Sequence, residues 1–142
     1  MSDLPTAPER PQTQVRLATL ADTDLLANFA ILMANETESK DLNPALVNSG
    51  IHNCLLNPAY GKYCVASLDS DPDTAIGCLM ITFEMSPMLG GLIYWIQSVY
   101  VVPEHRAKGV FRALYNYVVE ETRKDPIAKC VRLYVDAENT SA

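Results

Sequence analysis

The chain has 142 residues, of which 49% are hydrophobic and 20% charged, and its formal net charge is −6. That length suits one domain with a core of its own, and that composition excludes a disordered chain. The acidic balance argues against a general nucleic-acid-binding or anionic-membrane surface.

Residues 1–13 carry Pro5, Pro8 and Pro11 and no apolar run. They read as a flexible tail rather than a signal peptide, with one domain over 14–142. Gln14 to Thr19 alternates apolar and polar residues, which predicts a half-buried strand. Asp24 to Asn35 places Leu25, Leu26, Phe29, Leu32 and Met33 at helical spacing, with Thr19 or Asp22 as candidate caps. Asn35 to Lys40 reads as a polar loop. A second helix is expected from Asn43-Pro44, cap and first helical position, to Asn57-Pro58. Leu46, Val47, Ile51, Cys54 and Leu55 form its apolar face, and Gly50 weakens it.

Tyr63 to Leu68 and Ala75 to Phe83 read as strands joined by an aspartate-rich turn that contains Pro72. Leu92 to Val102 is almost continuously apolar, as in a central strand covered on both faces. It is far too short for the roughly 20 residues of a membrane-spanning helix. With neither a leader nor a spanning segment in view, the expected location is the cytoplasm. A helix with Val110, Leu114, Tyr117 and Val118 on one face runs to about Lys124 and ends before Asp125-Pro126. Lys129 to Val135 is the last predicted strand. The order strand, two helices, three strands, helix, strand implies an α/β (α+β) layered domain around a mixed sheet.

Cys54, Cys64, Cys78 and Cys130 form no C-x-x-C pair, and His52 and His105 have no ligand-spaced partners. These cysteines read as reduced, buried small hydrophobes, and no metal is expected.

The stretch from Val99 to Leu114 passes from the central strand, through a short basic loop, into a helix. Unpaired amides at a helix start carry the positive end of the helix dipole and can bind phosphate. Arg106, Ala107, Lys108, Gly109, Val110 and Phe111 would supply such amides. Gly109 would admit a phosphate closely, and Arg106, Lys108 and Arg112 add positive charge. No Walker phosphate loop and no dinucleotide fingerprint occur. On these residues alone, a polyphosphate site and an ordinary strand–helix connection with solvated basic residues both stay open.

The same stretch resembles motif A of the GNAT N-acetyltransferase superfamily, whose pattern is Gln or Arg, two residues, Gly, one residue, then Gly or Ala. Arg106 and Gly109 match it, and Phe111 departs from the final small residue. Together with the element order, the resemblance covers about 14–140. It implies the GNAT fold, with helices on both faces of the sheet, and acetyl-CoA as co-substrate. It further implies that the backbone of Val99 and Val101 pairs with the pantetheine arm while the amides of 106–111 hold the pyrophosphate. Asn139 matches an asparagine that the family often places near the thioester.

The implied reaction is direct transfer of an acetyl group to a small-molecule or peptide amine, with central-strand amides polarising the carbonyl. A base or water chain must then take a proton from the amine. Glu84, at the expected end of the third strand, and Glu36, in the loop after the first helix together with Glu38, are the candidates. Trp95 occupies a position where some relatives carry a catalytic glutamate. Trp95 and Gln97 alternate with Val99 and Val101, so all four are expected on one face, with Trp95 and Gln97 lining the acceptor pocket. The family continues with a fourth helix and further strands. The chain is therefore expected to be C-terminally incomplete, and its last strand to favour a homodimer through an uncovered edge. The alternative is a non-catalytic acyl-CoA-binding or assembly module, or an inactive fragment.

Overall fold

A computed structural model describes residues 12–134. The elements run β1 Thr13–Leu17, α1 Thr23–Glu38, α2 Pro44–Leu56, β2 Lys62–Leu68, β3 Asp71–Ser86, β4 Gly91–Val101, α3 Val110–Lys124 and β5 Ala128–Leu133. Single 3-10 turns lie at Leu20–Asp22 and Pro103–His105. Of the predicted tail, residues 1–11 lie outside the described residues, as do Val135 and Asn139.

The strands form one sheet in the order β1-β2-β3-β4-β5. The first four pair antiparallel, and β5 pairs parallel to β4 through the crossover helix α3. On one face, Leu26 and Phe29 of α1 and Ile51 of α2 pack with Val65, Cys78 and Tyr100. On the other, Val110, Leu114 and Val118 of α3 pack with Cys64, Leu79, Ile81, Tyr94 and Ile96. Each such fully buried aliphatic side chain contributes about 1.5–3 kcal/mol. The expected mixed sheet with helices on both faces is what the structure has.

Local chemistry sets the element ends. The Asn43 side chain accepts from the amides of Ala45 and Leu46 at 3.0 and 3.3 Å, capping α2, with Pro44 in its first turn. Gly50 does not break α2, because it faces open space and its cost is one of helix propensity alone. Asp22 accepts from both terminal nitrogens of Arg16, each at 2.8 Å, and from the Thr19 amide at 2.7 Å. The start of α1 is thereby tied to β1.

Several expectations need correction. The α1 helix continues through the supposed loop to Glu38 and ends where Ser39 turns left-handed at φ 50. Its buried line follows Leu26, Ala27, Phe29 and Ala34, so Leu32 falls outside it and is exposed. Leu46, expected on the apolar face of α2, is exposed. The β3 strand extends past Phe83 to Ser86, which places Glu84 inside the strand rather than at its end. All four cysteines are free; Cys54, Cys64 and Cys78 are buried, while Cys130 is half-buried. Among the described residues, no helix is long and apolar enough to cross a membrane.

Candidate functional site

The site is organised by one irregularity in β4. Met80 pairs with Ser98 and the next residue, Ile81, pairs with Ile96, so Gln97 is an extra residue in the ladder, a β-bulge. Before the bulge, Tyr94 and Ile96 belong to the α3-side core. After it, Val99 and Val101 pack against that same core, while Tyr100 belongs to the α1 side. Trp95, adjacent to Tyr94 and Ile96, is therefore on the opposite face from Val99 and Val101. The expectation of one shared face fails because the bulge shifts the alternation by one residue.

Among the described residues, β5 pairs with β4 only from Leu92 to Ile96, while β3 continues beside β4 as far as Val101. Past the bulge, β4 thus has one edge to which no described strand pairs. Which backbone groups face that edge follows from two bonds. The Val102 amide donates to Ile76 of β3 at 2.9 Å, so by strand alternation the peptide groups of Val101 and Val99 point the other way. Arg106 Nε donates to the Val101 carbonyl oxygen at 2.8 Å from that open side. The two residues expected to pair with an extended ligand are the two whose backbone faces the open edge.

After β4 the chain turns through Pro103–His105 into α3. Ala107 has φ 61 and Gly109 has φ 88, left-handed residues on either side of Lys108. Such alternation brings successive amides toward one concave side. Gly109 is the residue before the first turn of α3 and supplies no side-chain cap. The Ala113 amide donates to the Gly109 carbonyl at 3.1 Å, leaving the amides of Val110, Phe111 and Arg112 ahead of it at the positive end of the helix. Among the described residues, neither Lys108 nor Arg112 is within 4.0 Å of a carboxylate. Phe111 is exposed and stacks on Tyr115 with ring centres 6.2 Å apart. Its side chain leaves its amide within the first turn. Uncapped amides, a glycine at positive φ and two cations that pair with no carboxylate among the described residues make a cradle chemically suited to a di- or polyphosphate.

On the α1 side of the sheet, Thr82 pairs with Trp95, and Glu84 with Ile93, placing Glu84, Thr82 and Trp95 on one face. Gln97 joins them, its Nε2 donating to Thr82 Oγ1 at 2.6 Å. Trp95 stacks on Tyr134 at 4.7 Å and 11°, and Arg132, its pair on β5, lies 5.9 Å from the Trp95 ring centre. Glu84, Gln97, Arg132 and Tyr134 are all exposed. Sequence reasoning missed Thr82, Arg132 and Tyr134, which enter through strand register. Glu36 is elsewhere: its Oε2 accepts from Arg106 at 2.7 Å. That bond holds the guanidinium more firmly protonated than usual. Glu38 pairs with Lys40 at 3.2 Å.

A model of the acetyltransferase (GNAT) family matches residues 26–142. The chain belongs to the GNAT acetyltransferase family. It is 38% identical to a possible acetyltransferase from Clostridium difficile 630, with a TM-score of 0.81 over 90% of this chain and 82% of that one. More distant structures share the fold. One is a ribosomal-protein-alanine N-acetyltransferase from Brucella melitensis biovar Abortus 2308, 16% identical, TM-score 0.71, over 90% of this chain and 83% of that one. Another is an aminoglycoside N-acetyltransferase in complex with CoA, 14% identical, TM-score 0.73, over 95% of this chain and 84% of that one. No curated protein matches the chain.

Proposed function

We propose that this GNAT protein transfers an acetyl group from acetyl-CoA to the amine of a small molecule or peptide. The observation that carries this reading is a juxtaposition. The uncapped start of α3 lies directly beyond the end of β4 whose edge has no paired strand among the described residues. A ligand with a pyrophosphate at one end and an extended amide-bearing arm at the other complements both features. Acetyl-CoA has that form and supplies an activated acetyl thioester.

The chain's own groups then take distinct roles. Amides from Ala107 to Arg112 bind the phosphates, and Lys108 and Arg112 add charge. Val99 and Val101 offer backbone groups along the open edge to the pantetheine arm. An amide on that edge is placed to donate to the thioester oxygen as negative charge develops there. The face bearing Trp95, Thr82, Gln97 and Glu84 receives the acceptor. Glu84, an exposed carboxylate on that face, takes the proton of the attacking amine directly or through water.

Release of the free CoA thiol from acetyl-CoA, followed across a panel of amines and an amine-free control, tests the reading. The expected result is amine-dependent release, with the acetylated amine identified by mass. Tight CoA binding without release for any amine would instead mark an acyl-CoA-binding module.

A further inference from the structure

Arg106 was expected to lend its charge to a phosphate, and the structure uses that side chain differently. Its Nε is bonded to the Val101 carbonyl at 2.8 Å and its Nη2 to Glu36 Oε2 at 2.7 Å. The guanidinium also lies over the Tyr100 ring, 5.6 Å from its centre, and Tyr100 packs on Phe29 of α1 at 5.0 Å. One side chain therefore joins the end of β4, the loop before α3 and the last turns of α1.

Among the described residues the loop has few other ties. Its backbone bonds are those of the 3-10 turn: the His105 amide to the Val102 carbonyl at 3.0 Å and the Arg106 amide to the Pro103 carbonyl at 3.3 Å. The left-handed residues Ala107 and Gly109 follow immediately. Arg106 immediately precedes those residues, and its side chain is bonded on α1 to Glu36. Because α1 runs on to Glu38, that carboxylate sits on a helix rather than in a loop, at a defined position.

We infer that Glu36 is a positioning residue for the CoA site: acting through Arg106, it holds the 106–111 cradle in its binding shape. The inference rests on the acetyl-CoA reading above. It replaces two simpler roles, Glu36 as a proton acceptor and Arg106 as a phosphate ligand. The Glu36 carboxylate is engaged by a cation, and the guanidinium is engaged by a carbonyl and a carboxylate. Both side chains are close to half-exposed, 46% for Arg106 and 40% for Glu36. An ion pair of that exposure adds little to folding stability. Its loss should appear in ligand affinity while the fold persists.

The experiment is calorimetric titration of CoA into the wild-type chain, Glu36→Gln, Glu36→Asp, Arg106→Gln and the double variant Glu36→Gln/Arg106→Gln, with thermal unfolding of each. Glu36→Gln should weaken CoA binding about threefold to tenfold, the scale of one modest coupling. Glu36→Asp should recover part of that loss. The double variant should bind no more weakly than Arg106→Gln alone, because the inferred action of Glu36 on CoA runs through Arg106. Arg106→Gln should leave the salt dependence of binding unchanged, as expected for a side chain that does not touch phosphate. Additive losses in the double variant, or normal CoA affinity in Glu36→Gln, would overturn the inference while leaving the function intact. A wild-type chain that binds no CoA would overturn both.

Discussion

Ile96 and Val99 lie three positions apart in β4 yet face the same core, because Gln97 bulges out of the ladder between them. Deleting Gln97 would restore strict alternation. Val99 and Val101 would keep the α3 side and Tyr100 the α1 side, because Ile96 and Val99 would then stand two positions apart, but the local bend that the extra residue adds to β4 would be lost. Gln97→Ala removes only an exposed bond to Thr82. The deletion should therefore keep cooperative thermal unfolding but weaken CoA binding by straightening β4 beside its open edge, whereas Gln97→Ala should cost less than about 1 kcal/mol and leave CoA affinity unaltered.

The junction between β1 and α1 should be sensitive to pH. The hydrogen bonds from Arg16, helped by the Thr19 amide, hold Asp22 below the usual carboxylate range against the opposing effect of burial. A depressed folded pKa stabilises fully above the unfolded value of about 3.9 and loses that stabilisation as pH falls through the folded pKa. Asp22→Asn should therefore cost about 1–2 kcal/mol at pH 7, Arg16 being half-exposed. Urea unfolding should show that difference constant from pH 7 to about 5 and shrinking below about 4.

Phosphate recognition should draw its charge from Lys108 and Arg112, not from Arg106. Lys108→Gln/Arg112→Gln should weaken CoA about tenfold or more at low salt and flatten the dependence of affinity on ionic strength. An unchanged salt slope would place the phosphates elsewhere.

Glu84 carries a carboxylate on the face proposed to receive the acceptor. Glu84→Gln should lower kcat for an amine acceptor about a hundredfold, the lower range of general base catalysis, with CoA affinity unaltered. Steady-state rates beside a CoA titration separate the two effects.

Much of the fold is legible in the sequence, and its misses share a physical cause. Helix α3 is plain because Val110, Leu114 and Val118 repeat every four residues and Asp125-Pro126 stops it. The β4 strand is plain because both its faces are covered. The extension of α1 to Glu38 is not, since Asn35 to Glu38 has no apolar periodicity and the last turns are held from outside, by Arg106 on Glu36. The Gln97 bulge is invisible because a bulge is a relation between two strands, not a pattern within one. The same holds for Thr82, Arg132 and Tyr134, brought beside Trp95 by register and stacking alone. Within the cradle, Gly109 and the flanking cations are legible, but the engagement of Arg106 by Val101 and Glu36 is tertiary.

The start of α3 and the open edge of β4 together form the proposed CoA site. Amide resonances followed by NMR during titration with CoA test it most directly. Saturation at one equivalent is expected, with the largest shifts at Lys108 to Arg112 and along Val99 to Val101. Gly109→Val, which forces a branched side chain into a left-handed backbone at the phosphate cradle, should abolish those shifts. Shifts centred elsewhere, or full binding by Gly109→Val, would contradict it.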